Sequence, residues 1–201
     1  DDIINASAAL STDHFTITGN GGNDVVTTAG GNDSITTGDG NDTITGGDGN
    51  NIVNAGAGTN SVTTGSGDDT ITTTGSGNDV ITAGAGNNTI TTGSGNDTIT
   101  TGFGNDTITA GAGDDVLFGG AGNDTITGGP GIDIAVYSGQ ASDYTSTFDP
   151  VTGGGTVIDN RAGSPDGTDI LATIEALRFG VPALFPPVGA APVIATVTGT
   201  D

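Results

Sequence analysis

Cysteine, methionine and lysine are all missing from the 201 residues. Without cysteine the chain can build neither a disulfide framework nor a thiolate metal site. Without methionine, Asp1 is not a translational start, so a processed chain or one cut from a longer protein is expected. Basic residues number two, Arg161 and Arg178, against 24 acidic ones, giving a formal net charge of -22. That balance argues against nucleic acid or an anionic membrane surface as a partner and makes multivalent cations the complementary one. No apolar run approaches the length that crosses a bilayer and no N-terminal signal peptide is visible, so no membrane-spanning helix is expected. Histidine occurs once, at His14, with no recognisable partner, and the many serines and threonines lack a general base. Nothing here is equipped for catalysis, and any enzymatic activity is expected in other parts of a longer protein.

What the chain has instead is glycine, 39 residues of it, arranged in a nine-residue period. From Gly19 to Val136 the pattern x-G-x-G-N-D-x-I-T recurs thirteen times, as in Thr37-Gly38-Asp39-Gly40-Asn41-Asp42-Thr43-Ile44-Thr45. With the acidic residue as position six, position four is always glycine, including Gly40, Gly77, Gly95, Gly104, Gly113, Gly122 and Gly131. Position two is glycine in eleven copies, including Gly38, Gly75, Gly93, Gly102, Gly111, Gly120 and Gly129. Glycines alternating before an Asn-Asp pair are turn chemistry. Position eight is aliphatic from Val26 to Ile126 and alanine at Ala135, and threonine flanks it at most copies. This reads as a three-residue strand with its centre inward. A six-residue turn and a three-residue strand, repeated, wind into a coil in which every two repeats supply two turns and two strands. Strand then stacks on strand from each repeat to the next but one. One aliphatic side chain per repeat is a thin core, so bound metal is expected to make folding and binding one event.

In that coil the sixth positions form two columns. One is Asp24, Asp42, Asn60, Asp79, Asp97, Asp115 and Asp133; the other is Asp33, Asn51, Asp69, Asn88, Asp106 and Asp124. Carboxylates stacked about 5 Å apart repel unless a cation lies between them. A metal-free solenoid with aspartates only capping turns has to leave ten such carboxylates without counter-charge. Carboxylates and turn carbonyls make an all-oxygen set, which suits Ca²⁺ rather than zinc or copper, and Mg²⁺ dehydrates too reluctantly. Eleven gaps separate the stacked turns, and only the pairs 24/42, 79/97, 97/115, 115/133 and 106/124 have aspartate on both sides. Weaker or empty sites are expected beside Asn51, Asn60 and Asn88.

The repeats resemble the RTX, or hemolysin-type, calcium-binding family, whose pattern is G-G-x-G-x-D-x-U-x with U a large aliphatic residue. Gly119-Gly120-Ala121-Gly122-Asn123-Asp124-Thr125-Ile126-Thr127 fits it at every position. The resemblance implies an all-β, right-handed parallel β-roll with Ca²⁺ held between same-side turns by carbonyls of positions one to four and the sixth-position carboxylates of both. For one site these would be Gly93, Gly95 and Asp97 facing Gly111, Gly113 and Asp115. It also implies export by type I secretion machinery, with folding outside the cell where calcium is plentiful.

Four regions are expected: an irregular N-terminal coil at 1–18 with Phe15 and Ile17 inward, the roll at 19–136, a β-rich cap at 137–180, and a linker or the start of another module at 181–201. Asp2-Ile3-Ile4-Asn5 reads like the end of a further repeat, as if upstream copies were missing. Within the cap, Ala172-Thr173-Ile174-Glu175-Ala176-Leu177 reads as a helical turn. The period slips once, with ten residues from Asp69 to Asp79 and an extra threonine in Thr72-Thr73-Thr74, which reads as a β-bulge or tolerated loop. Three functions remain: a calcium-folded module of a secreted or surface protein, the non-catalytic module of a larger secreted enzyme or toxin, and an ice- or surface-binding face. The last rests on Thr70/Thr72, Thr89/Thr91, Thr107/Thr109 and Thr125/Thr127, a regular hydroxyl array also suited to self-association or a cell-surface polysaccharide.

Overall fold

In the computed structural model, which describes residues 1–180 except Ala9 and Ser11, the chain is a parallel β-solenoid. The expected linker at 181–201 lies outside the described residues. The segment ahead of the first repeat supplies β1 (Ile3–Asn5) and β2 (Thr16–Thr18). The repeats supply β3 (Val25–Thr27), β4 (Ser34–Thr36), β5 (Thr43–Thr45), β6 (Ile52–Ala57), β7 (Ser61–Thr63) and β8 (Thr70–Thr74). They continue with β9 (Val80–Thr82), β10 (Thr89–Thr91), β11 (Thr98–Thr100), β12 (Thr107–Thr109), β13 (Val116–Phe118), β14 (Thr125–Thr127) and β15 (Ile134–Val136). Then follow a 3₁₀ turn at Ala141–Asp143, β16 (Tyr144–Ser146), β17 (Gly155–Asp159), β18 (Thr168–Ala172) and β19 (Ala176–Arg178).

Odd-numbered strands from β1 to β15 stack in one sheet, which ends on β19; even-numbered strands from β2 to β14 stack in the other, which ends β18-β17-β16. Same-position residues pair along the roll, as Thr89↔Thr107, Ile90↔Ile108 and Thr91↔Thr109, apart from one shift between β6 and β8. The aliphatic position eight therefore forms a continuous buried column in each sheet, from Ile17 and Val26 onwards. Position four must be glycine because the turns stack backbone on backbone: a Cβ on Gly104, where φ is +136°, would lie 2.0 Å from the Gly86 carbonyl oxygen.

The interior is thicker than one aliphatic residue per repeat. Alternation continues on both sides of the strand, so position six and position one are buried as well, the latter as Thr28, Thr37, Ala55, Thr64, Thr73, Ala83, Thr92, Thr101 and Ala110. The extra residue of the 69–79 interval is resolved by the same rule. Thr73 takes the buried position-one place and Thr74 is the exposed addition, at a register shift between β6 and β8 opposite Asn54 and Gly56.

Two expectations are corrected. The leader is not wholly irregular: Ile3↔Val25, Ile4↔Val26 and Asn5↔Thr27 pair as a rung of the roll, and Thr16–Thr18 pairs with Ser34–Thr36. Residues 172–177 are not a helical turn. Thr173 has φ +49° between the ends of β18 and β19, and Leu177 pairs opposite Ala135, extending the buried column. The open end of the sheet overrides the helix-forming side chains, because its strand edge offers unpaired backbone groups. Tyr137, Tyr144 and Phe179 close that end, their ring centroids 5.1 to 5.5 Å apart.

Candidate metal centres

The two columns expected from the period are both present, and a hydrogen bond marks each step. The Asp79 N–H donates to Asp97 Oδ1 at 2.8 Å, the Asp97 N–H to Asp115 Oδ1 at 2.7 Å, and the Asp115 N–H to Asp133 Oδ1 at 2.9 Å. The other column repeats this at Asn88, Asp106 and Asp124. One oxygen of each side chain is thereby fixed to the backbone of the preceding same-side turn.

The other oxygen is left over. In Asp24, Asp33, Asp42, Asp69, Asp97, Asp106, Asp115, Asp124 and Asp133 the Oδ2 is buried without a hydrogen-bond partner. The three asparagines show what this atom faces. Asn51 Nδ2 donates to the carbonyls of Gly47 at 3.2 Å and Gly49 at 3.0 Å, positions two and four of its own turn. Asn60 does the same to Gly56 and Gly58, and Asn88 to Gly84 and Gly86. The amide orientation follows from the network, since Oδ1 accepts a backbone N–H in each case. In an aspartate turn an anionic oxygen occupies the amide's place, and oxygen then faces oxygen.

Burial makes this costly for the charged form. It pushes Asp115 up to about 7 and Asp124 up to about 8, with neighbouring carboxylates adding to the shift and backbone N–H donors opposing it. Asp69, Asp79, Asp97, Asp106 and Asp133 are also raised, by burial first. Other turn oxygens are spoken for. Position-three carbonyls accept the position-four N–H of the preceding coil, as Ala112 O from Gly95 at 2.8 Å. Threonine hydroxyls of Thr28 and Thr37 donate to the position-one carbonyls of Gly46 and Ala55. Among the described residues, the position-four carbonyls of Gly40, Gly67, Gly77, Gly95, Gly104, Gly113, Gly122 and Gly131 accept no hydrogen bond. No three acidic or histidine side chains converge among those residues either. A cation in these turns must therefore combine carboxylate oxygens with backbone carbonyls, the donor set of Ca²⁺.

A family model described as the RTX calcium-binding nonapeptide repeat matches four times, over residues 16–35, 36–71, 73–108 and 100–135, more than half of the chain. The chain belongs to that RTX repeat family. No curated protein matches it. The RTX repeats make this a calcium-binding β-roll module, and the unpartnered Oδ2 atoms with their donorless carbonyls fit the ion in charge and chemistry.

Several contributors were not foreseen from the sequence. Asp169 and Glu175 extend the columns beyond the RTX repeats: the Asp124 N–H donates to Asp169 Oδ1 and the Asp133 N–H to Glu175 Oε2. At the other end the sequence did give a signal: Asp2-Ile3-Ile4-Asn5 reads like the end of a repeat, and the Asp2 N–H donates to Asp24 Oδ1. Position five builds a second, exposed ladder running the opposite way, from the Asn105 N–H to Asn87 Oδ1 and from the Asn123 N–H to Asn105 Oδ1, both at 2.8 Å. His14 belongs to it, its Nδ1 accepting the Asn32 N–H at 2.8 Å. The Gly167-x-Asp169-x-Leu171 spacing was the available signal for the new rung, since it reproduces positions four, six and eight.

Proposed function

We propose that this chain is a calcium-folded structural module of a secreted or cell-surface bacterial protein, exported unfolded by type I machinery and folded once it meets extracellular calcium. The observation that carries the reading is the row of buried Oδ2 atoms without partners, beside position-four carbonyls that among the described residues accept no hydrogen bond either. Ten repeat aspartates in two columns oppose the metal-free roll, and each ion between turns replaces repulsion with coordination. The ligands are the position-six aspartates, Asp24, Asp33, Asp42, Asp69, Asp79, Asp97, Asp106, Asp115, Asp124 and Asp133, with position-two and position-four carbonyls such as those of Gly111 and Gly113. Asn51, Asn60 and Asn88 close their own turns with an amide, so ions number fewer than the eleven gaps between RTX turns. Extracellular calcium modules work at about 10⁻⁴ to 10⁻³ M.

Far-UV circular dichroism at neutral pH, first in EGTA and then through a calcium titration, tests this. Strand signal is expected only after calcium is added and not with equal magnesium. A full strand signal in EGTA would overturn the proposal.

A second, narrower role rests on the threonine ladder. Thr70, Thr89, Thr107 and Thr125 stack in register and are exposed, flanked by exposed Ile52 and Ile170. This face is the one on which self-association or docking on a polysaccharide or crystalline surface would act.

A further inference from the structure

The residues from Gly167 to Ala172 stack on the turn of Asp124, the last RTX turn of its column, as though the repeat had never stopped. Ile170, Leu171 and Ala172 pair in parallel with Thr125, Ile126 and Thr127. The Thr168 N–H donates to Asn123 Oδ1 at 2.8 Å, which continues the position-five ladder. Gly167, with φ +67°, passes so close over the preceding turn that a Cβ would lie 2.1 Å from Gly122 O, as at the position-four glycines below. Asp169 takes position six: the Asp124 N–H reaches its Oδ1 at 2.9 Å, the same contact that Asp106 makes to Asp124. The partners are 45 apart in sequence in the first contact and 18 apart in the second, so an excursion three repeat lengths long has been inserted between adjacent rungs.

The gap between these two rungs holds unpaired oxygen. Asp124 Oδ2 is buried without a partner, and among the described residues Gly120 O and Gly122 O accept no hydrogen bond. The Tyr137 hydroxyl is also buried and unpartnered. Asp169 is 2% exposed. The turn of Asp169 itself is no cup, because Gly167 O already accepts the Asp159 N–H at 2.8 Å. The available cup is the turn of Asp124, and Asp169 is its lid.

We infer that Asp124 and Asp169, with the carbonyls of Gly120 and Gly122, form a further calcium site that joins the RTX roll to a rung lying outside the repeats. This rests on the calcium reading of the repeats. Its consequence is that docking of the excursion depends on calcium. Asp166, in the same rung, accepts hydrogen bonds from Ser138 and Tyr144 and pairs with Arg161 at 2.9 Å. An ion between Asp124 and Asp169 therefore fixes the segment that closes the end of the roll.

The test compares Asp169→Asn with Asp97→Asn in the 201-residue chain, counting bound calcium by equilibrium dialysis with atomic absorption. Both changes keep the Oδ1 acceptor, so the rungs keep their backbone contacts; Asp97→Asn also supplies the amide that closes its own turn, as in Asn88, whereas Asp169→Asn removes the lid's charge from the Asp124 cup. Hydrogen exchange over residues 89–109 in saturating calcium confirms that each variant is folded. Asp169→Asn is expected to bind one ion fewer than the native chain, and Asp97→Asn also fewer. An unchanged count in Asp169→Asn beside a loss in Asp97→Asn would overturn this site and leave the repeats' role standing. An unchanged count in both would overturn the calcium reading as well.

Discussion

At the scale of single residues, one atom separates a turn that demands a cation from one that does not. Asparagine at position six donates to the two carbonyls beneath it, while aspartate turns an oxygen towards them. Asn88→Asp therefore exchanges two amide hydrogen bonds for a buried charge. Losing each such bond with its partner left buried costs about 1–3 kcal/mol, so the calcium concentration at the folding midpoint should rise. The number of bound ions should increase by one. Calorimetric titration of the variant reads both, and a lower midpoint with unchanged stoichiometry would contradict the assignment of the amide as the ion's substitute. This distinction was only half legible in the sequence. Asn51, Asn60 and Asn88 stood out as missing charges, but that their amides replace the missing ion depends on where Oδ1 is pinned, which is a property of the stacked coil.

At the scale of the rung, the period told most of the story because every nonapeptide solves the same packing problem. Position eight, the strand of three and the two columns all follow from a turn that only glycine can make at position four. What the period hid lies where the spacing is not nine. Asp169 and Leu171 sit three repeat lengths late, and the segment between them and the roll forms an antiparallel addition, β16 and β17, with no repeat signature. Asp2 and Ile4, by contrast, were legible as the end of a repeat although they lie off the period, and they stack on the first full copy because an open strand edge recruits a segment with an aliphatic residue at the right place. The Thr72-Thr73-Thr74 interval gives a sharp test. Thr73 fills the buried place and Thr74 is exposed, so deleting Thr74 removes the irregularity without opening the core. The deletion should leave the calcium count unchanged and the melting temperature in calcium within a few degrees. Ile99→Ala, which empties a fully buried slot in the same roll, should instead cost about 2–5 kcal/mol. Thermal melts of both in saturating calcium distinguish a tolerated surface loop from a packed one.

At the scale of the whole molecule, protons and calcium compete for the same oxygens, and the direction of the pH dependence follows. Unfolded carboxylates titrate near about 3.9. In the metal-free roll burial pushes Asp115 and Asp169 up to about 7 and Asp124 up to about 8, with five other repeat aspartates raised as well. Between those limits the folded chain binds more protons than the unfolded one, so the stability of the metal-free form is present at low pH and lost as pH rises from about 4 towards 8. Acid thus substitutes for calcium. In EGTA, lowering the pH from about 8 to about 5.5 should raise strand content, while in calcium the same change should weaken binding because protons must leave before the ion enters. The lower limit stays above the isoelectric point of about 4.1, near which the chain loses the charge that keeps it dispersed. Circular dichroism across this range in EGTA, with sedimentation to confirm a monodisperse sample, measures the first effect, and calcium titrations at the two ends measure the second. Strand content in EGTA that falls on acidification would mean that the buried aspartates are not what holds the metal-free chain open.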